Sequence, residues 1–336
     1  MKSRHPLVIE VVRGNAVESQ HQVMAVVADE RGLVSSFWGN VDYLTFPRSA
    51  VKPLQALPLV ESGAMEKFGL DEKMLALACA SHTGEKHHLV SLHLWLDKIK
   101  LKETDLYCGP AYPSHQASHH EMIIKGQAAS PLLNNCSGKH LGILSTCLAL
   151  GENYQDYHRI EHPAQVRLRK VLSELMKVSI ERMPVGVDGC AIPTHATPLQ
   201  NIAMGMSEFF DQKDLSDPRR KSMQRILHAW RYNPTYVSGS NDFSSELALK
   251  TKGRALLKPG AEGAYCGVMP EKGYAFALKV ADGDSRAAEV AAAAIFRQHG
   301  ALTEEENQDL KQWTMPVLRN TRNDVVGLLK VAGSPF

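Results

Sequence analysis

The sequence has no apolar run approaching the roughly 18 residues that a membrane-spanning helix needs, so no membrane partner is expected. Its six cysteines, Cys79, Cys108, Cys136, Cys147, Cys190 and Cys266, include no C-x-x-C pair. A chain of 336 residues builds its core without covalent staples, so disulfides are not expected. Charge of one sign is also lacking: 38 Lys+Arg against 36 Asp+Glu leave a formal net charge of +2. The basic residues occur only in short clusters such as Arg167 to Lys170 and Arg219 to Lys221, so the electrostatic footprint of a nucleic-acid partner is missing. Neither G-x-x-x-x-G-K-[ST] nor a post-strand G-x-G-x-x-G occurs, which leaves nucleotide dependence without support. The histidines include no H-E-x-x-H. The first twenty residues carry Arg4, Glu10, Arg13 and Glu18 where a signal peptide would be apolar, and a cytoplasmic location is expected.

What is present is an ordinary globular composition, 44% hydrophobic and 22% charged, long enough for one large bilobal unit. Leu7 to Val12, Gln22 to Ala28 and Leu33 to Phe37 read as a β-meander, since they are short β-branched runs split by turn residues. After Pro47 the pattern turns helical. Pro53 fits only in a first turn, so a helix is predicted to start near Ser49. Further helices are predicted from Asp71 to Ala78, Lys86 to Ile99, Gly138 to Leu150, Pro163 to Val178, Leu199 to Phe210 and Pro218 to Tyr232. The stretch from Tyr107 to Pro131 reads as irregular. Gly263 to Met269 and Gly273 to Val280 form a strand pair, followed by a helix from Ser285 to Arg297. The economical fold is α/β of the α+β kind, with an antiparallel sheet from both chain ends and an inserted helical lobe. The sheet lobe is placed at about 1–48 and 255–336, and the helical lobe at about 49–254.

Several residues could carry chemistry. Ser49-Ala50-Val51-Lys52 is S-x-x-K at a helix start, where the two side chains share a face and the amine can serve as base to the hydroxyl. Unpaired amides at such a start can hold an oxyanion. The bland alternative is a helix cap and a solvated lysine. Serine hydrolases of the penicillin-recognising kind add a second serine and a lysine-bearing strand motif. Ser81-His82-Thr83-Gly84-Glu85 and Lys258-Pro259-Gly260 stand in that order here. Cys136 and Cys190 sit among glycines and polar groups, in Asn134-Asn135-Cys136-Ser137-Gly138-Lys139-His140 and Gly186-Val187-Asp188-Gly189-Cys190. That setting suits a metal ligand as well as a core thiol, and a zinc site would need His140 or Lys139 to complete it.

Taken together, Arg48 to Pro53, Ser81 to Glu85, Asn134 to His140, Gly186 to Cys190 and Lys258 to Gly263 resemble the motifs of one family, the Rhizobium-type (class 3, L-asparaginase II-like) asparaginases. The resemblance runs from about Pro6 to Ala293. It implies a fold similar to serine β-lactamases and glutaminases, a homodimer, and hydrolysis of L-asparagine to L-aspartate and ammonia. It further implies two Ser-Lys pairs, Ser49 with Lys52 and Ser81 with Lys258, with Ser49 as nucleophile. Arg48, Asp188 and Glu85 match substrate-binding positions, and Arg48 could grip the α-carboxylate in a two-pronged contact. The family's zinc site maps onto Cys136, Lys139 and Cys190, one ion per chain assisting substrate binding. Two departures stand out: Thr83 where many relatives have serine, and Ser240-Asn241-Asp242-Phe243 in place of a more acidic, arginine-bearing pattern. Two alternatives are a penicillin-binding or β-lactamase-like hydrolase and a non-catalytic amino-acid-binding protein.

Overall fold

A computed structural model describes residues 1–210 and 217–333. They divide into two compact units. One takes Met1–Val51, the stretch from Thr197 and the C-terminal part from Glu246; the other takes Lys52–Ala196 and the stretch ending at Ser245. Among the described residues no helix is long and apolar enough to cross a membrane.

The first unit is built on a nine-stranded sheet. Its main path runs Val317–Arg319, Val325–Val331, Leu7–Arg13, Ala16–Asp29, Tyr274–Val280, Ala264–Met269 and Leu256–Pro259, antiparallel throughout. Val34–Trp38 pairs off this path with Ala16–Asp29, and Lys2–Ser3 adds a short parallel contact to it. The sheet therefore draws on both ends of the chain, as the sequence predicts. Val23 to Ala28 are buried at every position, so both faces of the strand are covered. Helices Leu199–Ser207 and Ser285–Gln298 both pack on these central strands.

Three sequence expectations need correction. Helix Leu199–Ser207 lies in the sheet unit although it falls inside the span 49–254 assigned to the helical lobe, because its apolar face is matched by the central strands. The stretch from Tyr107 to Pro131, read as irregular, contains helix Gln116–Ile124; with no buried residue, that helix has no apolar face to reveal it. The helix expected near Ser49 is broken into a 3-10 turn, Arg48–Val51, and two short helices, Lys52–Gln55 and Leu57–Glu61. Pro53 and Pro58 each occupy a first turn, the one place where the missing N–H costs nothing.

The second unit is helical. Asp71 caps helix Glu72–Ala78 by accepting from the Met74 amide at 2.9 Å, a contact that stabilises a helix by about 1 kcal/mol. This helix leads into Ala80 and Ser81. It lies against helix Ser137–Leu150 at Gly138, where a Cβ would come within 2.2 Å of the Leu77 carbonyl oxygen. Only glycine permits that approach, which fixes where Cys136 and Lys139 sit relative to Ser81. Trp95 on helix Lys86–Ile99 ties in from the side, donating to the Ser145 hydroxyl at 2.9 Å.

Candidate active site

In the sheet unit, Arg48 and Ser49 open the 3-10 turn, which packs on strands Leu256–Pro259 and Ala264–Met269. Arg48 holds φ 49, in the left-handed region that an arginine enters only under constraint. Ser49 is half-buried. Gly260 brings the Lys258 motif against this turn; a Cβ there would lie 2.8 Å from the Pro47 oxygen and 3.1 Å from the Ala50 nitrogen. Lys258 is buried and its amine donates to the Pro259 carbonyl at 3.0 Å.

In the helical unit, Lys52 is fully buried. Its amine donates to the Ala80 carbonyl at 2.5 Å and to the Ser81 hydroxyl at 3.1 Å. Spacing alone relates Lys52 to Ser49; the folded unit turns its amine toward Ser81, 29 residues on. Lys52 also lowers the pKa of the Cys136 thiol, so one amine acts on both the serine and a cysteine cluster.

Cys136 stands at the N-cap of helix Ser137–Leu150 and Lys139 one turn in, on the same face. Cys190 comes from the turn of a small hairpin, Val185–Val187 with Pro193–His195. That turn is tightly drawn: the Gly189 amide donates to Asp188 Oδ1 at 2.7 Å, the Ala191 amide to the Asp188 carbonyl at 2.8 Å, and Ala191 holds φ 68. The Lys139 amine donates to Cys190 Sγ at 2.9 Å. A hydrogen bond from Cys190 pulls the Cys136 thiol well below its ordinary range against the effect of burial, and Lys52 and Lys139 act in the same direction. Donating that bond pushes the Cys190 thiol up. Burial works against the Lys139 ammonium, but the two sulfurs and Asp188 outweigh it and hold its pKa above the usual value.

A second polar cluster surrounds Glu85. Its Oε2 accepts from the Thr83 hydroxyl at 2.7 Å and from the Ser240 amide at 2.8 Å. Burial alone would raise its pKa; these hydrogen bonds overcome that and hold it at about 2. A Cβ on Gly239 would come within 2.1 Å of Thr83 Oγ1 and 2.7 Å of Glu85 Oε2, so the 238–240 loop closes on the carboxylate only through a glycine. The two departures from the family motifs, at Thr83 and Ser240, thus meet on one carboxylate. Sequence reasoning had no signal for that meeting, because the two segments are more than 150 residues apart.

Two donor sets could hold a metal. Glu85, His87 and His88 bring ligand atoms within 4.8 Å of one another. His88, however, already accepts from the Glu85 amide at Nδ1 (3.1 Å) and meets the Thr235 carbonyl through Nε2 (2.7 Å), so neither nitrogen is spare. Cys136, Lys139 and Cys190 offer two buried sulfurs and a buried amine that already converge, and a soft donor set of this kind fits zinc.

The chain matches the family described as L-asparaginase II over residues 9–331. No curated protein matches it in sequence. Among solved structures, a chain described as "putative beta-lactamase from Bacteroides dorei DSM 17855" is 11% identical, with 82% of this chain and 85% of that chain covered and a TM-score of 0.39.

Proposed function

The chain belongs to the L-asparaginase II family, and on that footing we propose that it hydrolyses L-asparagine to L-aspartate and ammonia through a serine nucleophile and a lysine base, as a homodimer. The observation that supports a Ser-Lys system is the buried Lys52 amine donating to the Ser81 hydroxyl at 3.1 Å.

In this reading the Ser49 hydroxyl attacks the side-chain amide carbon, and Lys52, as the neutral amine, takes up the hydroxyl proton. The constrained backbone at Arg48 presents the serine at the start of a turn, where backbone amides can face the developing oxyanion. Ser81 steadies the Lys52 amine and carries protons to and from it, with Lys258 serving the second serine. Ammonia departs with a proton returned from this set, and water then cleaves the aspartyl ester. Arg48 takes the α-carboxylate, while Glu85 and Asp188 receive the α-ammonium. Glu85 suits that task because its hydrogen bonds keep it ionised across the neutral range, where asparagine is a zwitterion.

Cys136, Lys139 and Cys190 would hold one zinc ion. Bound there, zinc supplies a fixed positive charge that orders the surrounding polar groups, and Lys139 joins it only after giving up its proton.

Rapid acid quench during turnover of asparagine, followed by intact mass and peptide mapping, tests the chemistry. An aspartyl ester on Ser49 is expected. Attachment to Ser81 would reassign the nucleophile, and no covalent adduct in the quenched protein would remove the acyl-enzyme route.

A further inference from the structure

Lys139 Nζ and Cys190 Sγ lie 2.9 Å apart, both side chains are buried, and the pair belongs to different segments held by the hairpin turn and by a helix start. One bridging oxygen spans such a separation with little movement. A cavity of about 20 Å³, room for one water-sized molecule, is lined by Lys139 with Gln55, Gly142, Thr146 and Arg167. The Gln55 Oε1 and Arg167 Nη1 atoms are buried without a hydrogen-bond partner, which makes the pocket hospitable to a small polar or diatomic guest.

We propose that Lys139 and Cys190 are a redox modification site: in the metal-free protein, dioxygen oxidises them to a lysine–cysteine cross-link with a single oxygen between nitrogen and sulfur. The step balances as amine plus thiol plus dioxygen giving the N–O–S bridge plus water. One N–H, the S–H and the O–O bond break; an N–O and an O–S bond form. Nitrogen and sulfur each give up two electrons, and the four reduce dioxygen, one oxygen atom leaving as water with the two released hydrogens. A thiol reductant reverses it by taking the bridging oxygen out as water, in keeping with the reversible lower rungs of cysteine oxidation.

Geometry selects this product over its rivals. Cys136 and Cys190 each shift the other's thiol pKa, so a disulfide between them is the natural competitor. The amine, by contrast, faces Cys190 along a direct contact, and its residue lines a cavity in which a small oxidant can lodge. The cross-link removes one amine and one thiol from the donor set together, so it acts as a reversible off-state for metal uptake, and bound metal protects against it.

The test is independent of asparagine hydrolysis. Chelator-treated wild-type protein is held in air-saturated buffer, then analysed by intact mass and by peptide mapping without reductant. The expected result is a gain of one oxygen and a loss of two hydrogens, with the Lys139 and Cys190 peptides joined, reversed by a thiol reductant and absent in Lys139→Arg and Cys190→Ser. A loss of two hydrogens with Cys136 joined to Cys190, a gain of one oxygen with no joined peptides, or an unchanged mass would each overturn the proposal.

Discussion

Lys52 and Ser81 meet through a 3.1 Å hydrogen bond inside one unit, although they are 29 residues apart and lie on different elements. The same buried amine donates to the Ala80 carbonyl and lowers the pKa of the Cys136 thiol. Lys52 is therefore the joint between the candidate hydroxyl chemistry and the cysteine cluster. Its replacement should disturb both.

The first prediction is Ser81→Ala, which removes one acceptor of the Lys52 amine and leaves the backbone contact to Ala80 in place. Turnover should fall by about a hundredfold or more, the range set by a lost proton-transfer partner, with the fold unchanged by circular dichroism. Ser49→Ala should cost at least about a thousandfold, and combining it with Lys52→Met should add little, because a nucleophile and its base act as one unit. Steady-state ammonia release checks all three.

Gly239→Ala provides a test of the Glu85 loop. The added methyl would sit 2.1 Å from Thr83 Oγ1, so the loop must withdraw and the Ser240 amide must leave the carboxylate. If Glu85 receives the substrate's ammonium, the Michaelis constant should rise by about tenfold or more while kcat changes less. An unaltered Michaelis constant would take Glu85 out of substrate binding.

Arg48→Lys keeps the charge but loses the planar two-pronged contact. We expect kcat/KM for asparagine to drop by at least about tenfold. An asparagine analogue lacking the α-carboxylate should be a poor substrate for wild type and should discriminate little between wild type and variant. Equal use of analogue and asparagine by the wild type would show that Arg48 does not read the carboxylate.

Burial lowers the His88 pKa from its ordinary 6.5 to about 4, against the Thr235 carbonyl, which raises it. On acidification the unfolded chain takes up this proton before the native one. Stability should therefore be full above about pH 6.5, fall as pH drops toward about 4, and level off for this group below that; His88 alone should cost about 2 kcal/mol at about pH 5. His82 and His140, both shifted well down by burial first, act with the same sign. Denaturant unfolding of wild type and His88→Gln at several pH values would check this. The variant should be less stable at neutral pH and show a shallower acid slope.

Metal analysis gives a further check. Purified wild type should carry about one zinc per chain, and Cys136→Ser and Cys190→Ser should carry little, with uptake by wild type falling as pH drops and the ligands regain protons. Full zinc in both variants would place the ion elsewhere.

The sequence disclosed what depends on local pattern. Strands near Leu7 and Gly273 and helices near Lys86, Pro163 and Ser285 show their periodicity within a few turns. Strand Val325–Val331 is hidden from local pattern because its partner, Leu7–Arg13, lies at the opposite end of the chain. Spacing could relate Ser49 to Lys52, three residues apart, but carried nothing about Ser81, which reaches Lys52 only because an Asp71-capped helix delivers it there. Only resemblance chooses Lys139 over His140 as the partner of Cys190; two residues 51 apart share no period. Thr83 and Ser240 were visible as oddities, while their common partner Glu85 required the folded loop.

Ammonia release from L-asparagine, measured for wild type beside Lys52→Met, tests the central claim most directly. The account predicts one ammonia per aspartate from the wild type and at least about a thousandfold less from a variant that remains folded. A Lys52→Met protein as active as wild type would contradict the Ser-Lys account, and a wild type that releases no ammonia would contradict the asparaginase assignment itself.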